Sequence, residues 1–120
     1  MFGFLKTIVR SKVLDMEAKL FPTEACTWGG QGEIEVELFS DGQGKIEFEL
    51  EYSSLPPGSI VTVFVAGIHV GEFITSQGKK SKEVIFLNDS VRPIPQIEIG
   101  DPAEMLIDNE VCYRGQFRRD

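Results

Sequence analysis

The chain has 120 residues, of which 42% are hydrophobic and 26% charged, and its formal net charge is −7. That length suits one domain with one core, and the composition excludes a disordered or fibrous chain. A net negative surface repels phosphate, so we expect neither nucleic acid nor anionic lipid as a partner. The apolar runs fall well short of the roughly 18 residues that span a bilayer, so no membrane span is predicted.

The first residues follow a helical rather than a strand period. Plotted at about 100° per residue, their large apolar side chains fall on one half of a helix, which predicts a short amphipathic helix over residues 1–11. Such a helix must bury its apolar face against the same chain or against a partner. The side chains concerned are Phe2, Phe4, Leu5, Ile8, Val9 and Val13. No signal-peptide cleavage site follows them, so we expect a cytoplasmic protein.

From residue 12 to residue 118 the hydrophobic period is 2, which is typical of strands with one buried face. We predict a single all-β domain, an antiparallel β-sandwich of eight or nine strands, with a closed β-barrel as the alternative. The segments 60–65 and 68–74 are almost continuously apolar, which predicts a central hairpin covered on both faces. The predicted strands cover residues 12–22, 33–38, 46–51, 60–65, 68–74, 82–87, 96–99, 103–107 and 111–117.

Residues 33–51 give the clearest pattern, because two alternating segments flank a turn at residues 40–42. A three-residue hairpin loop with glycine at the position of positive φ sets the pairing and places Ile34 opposite Phe48. The same register places glutamates opposite one another on the solvent face, which costs stability unless cations lie beside them. These glutamates are Glu33, Glu35, Glu47 and Glu49.

The glutamate rows have two interpretations. Cations on neighbouring strands would make the rows an ordinary solvated face, and the candidates are Lys79, Lys80, Lys82 and Arg114. Alternatively, the carboxylates bind Ca²⁺, which takes roughly six to eight oxygen ligands from several directions. Flat rows on a sheet diverge, so the solvated face is favoured.

Residue types with catalytic potential are few. His69 is the single histidine, which excludes a multi-histidine metal site, and we expect it to stack on Phe64 across a hairpin. Cys26 and Cys112 lack the short spacings of metal and redox motifs, so two unbonded thiols are favoured over one disulfide. No nucleophile motif occurs. We therefore predict no catalytic residue, no metal site and no cofactor, and we favour a non-enzymatic role.

The longest loop, residues 22–32, holds the single tryptophan, Trp28. An exposed ring could stack on a ligand, whereas a buried ring would cover one end of the sheet and donate its N–H to a carbonyl. We favour the covering role. Asp101, Asp108 and Glu110 could supply an acid pair for hydrolysis, but the residues beside them favour a role in turns.

Three segments carry a resemblance to a known family. These are Asp41-Gly42-Gln43-Gly44-Lys45, Leu55-Pro56-Pro57-Gly58 and Val63-Phe64-Val65-Ala66-Gly67. Residues 41–75 resemble CHRD-like and superoxide-dismutase-like β-sandwich repeats, which often set strands before and after a Leu-Pro-Pro-Gly turn. The resemblance implies a sandwich fold. It implies no dismutase activity, since the copper and zinc histidines of that family are missing, and CHRD-like domains are typically exported.

Taken together, the sequence favours a non-catalytic β-sandwich module that assembles with itself or with another protein. Its predicted interaction surface is Phe2, Phe4, Leu5, Ile8, Val9 and Trp28. The alternative is a small-ligand-binding protein or a hydrolase that uses the Trp28 loop. A third hypothesis is calcium binding at the glutamate rows.

Overall fold

The computed structural model describes residues 11–52, 54–77, 80–88 and 95–120, and all regular structure in these ranges is β-strand. No helix in the described ranges is long and apolar enough to cross a membrane. The eight strands are β1 (Lys12–Pro22), β2 (Gln31–Phe39), β3 (Gln43–Glu51), β4 (Ile60–Val65), β5 (Ile68–Ile74), β6 (Lys80–Asn88), β7 (Pro102–Ile107) and β8 (Glu110–Arg119).

The helix predicted for residues 1–11 lies outside the described residues, except for Ser11, which is in neither helix nor strand. Val13 was placed on the apolar face of that helix. It belongs instead to β1, where its side chain is 64% exposed. The remaining apolar side chains of the predicted helix are outside the described ranges: Phe2, Phe4, Leu5, Ile8 and Val9.

Every strand pair is antiparallel, and hydrogen bonds connect the strands in the order β5-β4-β7-β8-β1-β2-β3-β6. The all-β antiparallel prediction is confirmed. The preferred sandwich of two separate sheets is not shown, because β8 pairs with β7 on one side and with β1 on the other. The strands therefore form one sheet, which curls until its end strands β5 and β6 approach each other. This nearly closed sheet is nearer to the barrel that was the alternative.

The hairpin of β2 and β3 forms in the predicted register. Ile34 lies opposite Phe48, and Glu35 lies opposite Glu47. Gly42 has a φ of 83°, and its N–H donates to the carbonyl oxygen of Phe39 at 3.1 Å. A glycine adopts this φ without steric cost, so the turn fixes the register as the sequence indicated.

Alternation along each strand directs one set of side chains into a single core. On β1, Met16, Ala18 and Leu20 are at most 3% exposed, whereas the residues between them face outward. The same period-2 pattern recurs on β2, β3, β4 and β7. The largest fully buried side chains are Tyr113, Phe48, Phe117, Leu20, Ile34, Ile46, Leu50 and Met105.

Side chains, and not a backbone ladder, close the gap between β5 and β6 in the described part of the chain. Phe48 on β3 stacks on Phe73 on β5, with ring centroids 5.6 Å apart. The Tyr52 hydroxyl lies 3.2 Å from the carbonyl oxygen of Ser76 and 3.0 Å from the Ser81 hydroxyl. Apolar stacking and these two polar contacts therefore join the two ends of the sheet.

The pairing of β8 with β1 depends on a close backbone approach. The ladder is interrupted beyond the pair of Ala18 with Phe117. There, a Cβ added to Gly115 would stand 2.0 Å from the carbonyl oxygen of Lys19. Only glycine permits this approach, so Gly115 allows β8 to pair with β1 as well as with β7.

Two predictions about strands are wrong. Residues 96–99 form no strand, because the chain turns at residues 99–100. The Glu98 N–H donates to Asp101 Oδ2 at 2.8 Å, which stabilises this turn, and the Ile97 side chain is buried. The hairpin of β4 and β5 is not central, because β5 ends the sheet order. Its outward residues Ile60 and Ile74 face each other and are 54% and 65% exposed. The continuous apolar run therefore marks an exposed outer face as well as a buried inner one.

Candidate functional site

The outward side chains of β2, β3 and β6 form an acidic face with interleaved lysines. Glu35 lies opposite Glu47, as predicted. Lys82 on β6 lies 3.6 Å from Glu47, and Lys80 lies 3.3 Å from Glu49. The interpretation of the rows as a solvated face is confirmed for these two lysines, since each offsets the like charges beside it.

The other candidate cations have different positions. Arg114 pairs with Glu104 on the neighbouring strand β7, at 3.3 Å, and so does not serve the glutamate rows. Lys79 lies outside the described residues. Arg118, which was not among the cations expected beside glutamates, bonds Glu17 on β1 at 2.8 Å. The sequence could not show this last pair, because it depends on the contact between β1 and β8.

Glu37 is the most buried charged side chain of the acidic face, at 5% exposure. Lys12 and Lys45 both bond its carboxylate, the latter at 3.2 Å. These hydrogen bonds, that of Lys12 first, hold the pKa of Glu37 below its ordinary value against the opposing effect of burial. Its contribution to stability is therefore present above the ordinary pKa and is lost as the pH falls below it.

Carboxylates cluster where β1 and β2 meet the end of the described chain. Oxygens of Asp15, Glu35 and Glu37 lie within 4.8 Å of one another, and so do those of Glu17, Glu35 and Asp120. Glu35 belongs to both groups. Asp15 Oδ1 is buried and accepts no hydrogen bond within the described residues. The cluster thus concentrates negative charge around Glu35.

Glu35 is the member of this cluster that holds a proton near neutral pH. Its pKa is raised to about 7, first by burial, then by a hydrogen bond with Asp120 and by the charges of Asp120, Glu37 and Asp15. Among the described residues no lysine or arginine forms an ion pair with Glu35, whereas Lys12 and Arg118 pair with its neighbours. Calcium binding, which the sequence analysis suggested for the glutamate rows, stays a prediction for those rows.

Replacing Glu35 by glutamine should stabilise the protein in a pH-dependent way. Since the folded pKa is above the ordinary value of 4.5, the contribution of Glu35 to stability falls as the pH rises through about 7. Glutamine is neutral at every pH, so Glu35→Gln should raise the Tm at pH 8 by roughly 5 °C after allowance for solvent screening. At pH 5 the variant and the parent should melt within a degree or two of each other, as followed by circular dichroism.

Glu49→Gln is the matched control for this experiment. Glu49 lies on the same face and has Lys80 beside it at 3.3 Å, so its neutralisation removes an ion pair instead of a repulsion. The control should not gain stability at pH 8. An equal gain in both variants would show that general charge reduction, and not the Glu35 cluster, is responsible.

The loop that carries Trp28 is fixed at both ends. The Thr23 N–H donates to the carbonyl oxygen of Cys112 at 2.8 Å, and the Tyr113 hydroxyl donates to the carbonyl oxygen of Gly29 at 2.6 Å. Trp28 is half-buried and packs against the core. This position supports the covering role over a ligand-stacking role.

Cys26, in this loop, lies near Cys112, since the Cys26 N–H donates to the carbonyl oxygen of Thr23 and the Thr23 N–H donates to that of Cys112. Cys112 is buried and Cys26 is half-buried, and neither is in a disulfide. Burial, followed by the charge and the hydrogen bond of Cys26, raises the pKa of the Cys112 thiol to about 11. Cys26 also bonds the hydroxyl of Tyr113, whose pKa is raised chiefly by burial. The spacing of the cysteines gave no signal for this contact.

The remaining candidate residues have structural positions. His69 lies opposite Phe64 as predicted, with ring centroids 5.5 Å apart. Asp101 and Asp108 flank the six residues of β7, so they are about 20 Å apart, too far to act on one glycosidic bond. Asp108 and Asn109 have φ of 52° and 65° and form the two-residue turn into β8. Turn roles therefore account for both aspartates.

Exposed apolar side chains are the features that the sequence analysis missed. Val84 and Phe86 share the outward face of β6, and Phe86 is 77% exposed. Val84 and Phe86 continue the row of Lys80 and Lys82 at every second residue, but the unbroken apolar run of residues 84–87 does not by itself show which face is buried. The large apolar residues exposed by more than a third, within the described ranges, are Val13, Phe21, Ile60, Ile68, Ile74, Val84, Phe86 and Ile99.

Comparison with protein-family models, curated proteins and solved structures gave no match to this chain. The resemblance of residues 41–75 to CHRD-like and superoxide-dismutase-like repeats therefore stays a prediction. Function has to be argued from the side chains of this protein and their surroundings.

Proposed function

We propose that this protein is a non-catalytic module that associates with a second copy of itself through the outward face of β6. The observation that carries the proposal is Phe86, which is 77% exposed on the strand that ends the sheet order. Val84 lies on the same face and is 38% exposed. Neighbouring apolar side chains left in water are characteristic of contact surfaces.

The surroundings of Phe86 suit contact between identical surfaces. Its ring borders a depression of about 220 Å³, which Phe39 and Lys45 also line. In a two-fold dimer the same patch occurs on both copies, so each Phe86 can enter the depression of the other. Burial of a phenylalanine side chain stabilises by about 1.5–3 kcal/mol, and the symmetry applies this gain twice.

The net negative charge of each copy opposes association at long range, whereas the lysines of β6 make this face the less repulsive one at short range. Each copy has a formal net charge of −7, so two copies repel. The face of β6 carries Lys80 and Lys82, which makes it less acidic than the faces of β1 and β2. Association should therefore strengthen when salt screens the net charge.

The interaction surface that was predicted from the sequence lies elsewhere. Its N-terminal part, Phe2 to Val9, lies outside the described residues and stays a prediction. Trp28, the other member, is half-buried against the core and offers less apolar area than Phe86. Association through residues 1–10 is thus the competing arrangement, which the experiment has to separate from contact at β6.

Phe86→Lys should abolish self-association without unfolding the protein. A lysine at a 77% exposed position is well tolerated, and across a two-fold axis it places like charges face to face. Sedimentation velocity at matched concentrations should show the variant as a monomer, with a dissociation constant at least about tenfold weaker than that of the parent.

Ile74→Lys is the matched control, since Ile74 is 65% exposed on the other end strand, β5. It should associate as the parent does. If both lysine variants associate like the parent, while deletion of residues 1–10 gives a monomer, the β6 contact is refuted in favour of the N-terminal segment. A parent that is monomeric at every concentration would refute self-association altogether.

A further inference from the structure

The β1–β2 loop continues the pairing of β1 with β8 beyond the end of β1. The Thr23 N–H donates to the carbonyl oxygen of Cys112 at 2.8 Å, and the Thr23 hydroxyl donates to the carbonyl oxygen of Val111 at 2.6 Å. The chain then turns, with the Cys26 N–H donating to the carbonyl oxygen of Thr23 at 3.1 Å. This turn brings Cys26 back towards the backbone pair of Thr23 and Cys112.

The far end of the loop keeps Cys26 in that position. The Tyr113 hydroxyl holds Gly29 through its carbonyl oxygen, at 2.6 Å. Cys26 packs against the core, and its side chain is among the groups that influence the Cys112 thiol and the Tyr113 hydroxyl. A disulfide needs Cα atoms about 4.4–6.8 Å apart, and a loop fixed at both ends keeps the two cysteines near each other.

We propose that Cys26 and Cys112 form a reversible disulfide that locks the loop of residues 23–30 onto β8. Cys26 is half-buried at the surface side of the pair, whereas Cys112 is 1% exposed. The oxidant therefore reacts with Cys26 first. Cys112 then acts as the resolving thiol, sheltered from reagents until the first bond has formed.

The reaction balances with a low-molecular-weight disulfide as the oxidant, such as oxidised glutathione. The Cys26 thiolate attacks one sulfur of the oxidant, which forms a mixed disulfide and releases one thiolate. Cys112 loses its proton to water, its sulfur attacks that of Cys26, and the second thiolate leaves. The protein gives up two electrons and two protons, and the oxidant becomes two thiols.

The disulfide would act on the loop that covers the core. Trp28 lies between Cys26 and the anchored Gly29, so its environment should change when the lock closes. The bond also joins positions near opposite ends of the described chain, and long closed loops restrict the unfolded state most. Oxidation should therefore both shift Trp28 fluorescence and stabilise the fold.

The full chain treated with oxidised glutathione tests the proposal. Its two thiols should disappear from a denaturing thiol assay, and its intact mass should fall by the mass of two hydrogen atoms. Non-reducing peptide mapping should find Cys26 joined to Cys112 in one chain. The Tm should rise by roughly 10 °C and return to its starting value with a reductant.

Two single variants make the result specific. Cys26→Ser should remain almost unmodified, because Cys112 is buried, and Cys112→Ala should stop at the mixed disulfide with glutathione. Neither should gain stability on oxidation. Stable glutathione adducts on the parent without a Cys26–Cys112 peptide would overturn the proposal, as would two thiols that stay free or a disulfide that links separate chains.

Discussion

Gly115→Ala should lower the Tm of this protein by roughly 10–20 °C, which corresponds to about 3 kcal/mol of stability. A Cβ at this position would lie 2.0 Å from the carbonyl oxygen of Lys19, and a backbone atom cannot move aside as a side chain can. The strands β1 and β8 would have to separate where the two halves of the sheet join. Thermal unfolding followed by circular dichroism measures the effect.

Gly71→Ala is the control, since it adds the same methyl group to β5. There the nearest atom is Cδ1 of Ile85, at 2.6 Å, which is the far end of a flexible side chain. Rotation of that side chain should limit the loss to about 1 kcal/mol. Equal losses in the two variants would contradict the special role given to the approach of Gly115 to Lys19.

Phe48→Ala should destabilise the protein by about 3–5 kcal/mol, as is typical of phenylalanine truncation in a core. Phe48 is 1% exposed, and its ring stacks on Phe73 with centroids 5.6 Å apart. Truncation would leave a cavity and would also remove the apolar contact between β3 and β5 that helps to close the sheet. Urea unfolding measures the free energy change.

Phe21→Ala tests whether burial of the ring is the cause of the stability loss expected for Phe48→Ala. Phe21 lies on β1 with 56% of its side chain exposed, so its truncation should cost less than about 1 kcal/mol. A small effect at Phe48 would mean that the sheet does not close through the contact with Phe73. The m-value should stay unchanged in both variants if the folded states remain compact.

Local chemistry accounts for the parts of the fold that the sequence predicted. The hairpin of β2 and β3 depends on Gly42 and on alternation within a short segment, so its register could be derived before the structure. The opposition of His69 to Phe64 depends on another tight turn. In each case the determining residues lie within about ten positions of one another, where loop geometry leaves few choices.

Contacts between segments that are distant along the chain could not be predicted from the sequence. The pairing of β8 with β1 joins residues about a hundred positions apart, and Gly115 gave no local sign of its role. The closeness of Cys26 to Cys112 follows from that pairing. The outward position of Phe86 was hidden because an apolar run on a strand does not state which face is buried.

Light scattering coupled to size exclusion, applied to the unaltered chain over a range of concentrations and salt, measures directly whether the protein associates with itself. We expect a mass that rises from the 13.4 kDa of one chain towards twice that value, and more readily at higher salt. A mass of 13.4 kDa at every concentration and ionic strength would contradict self-association and would show that the exposed face of β6 does not bind a second copy of the chain.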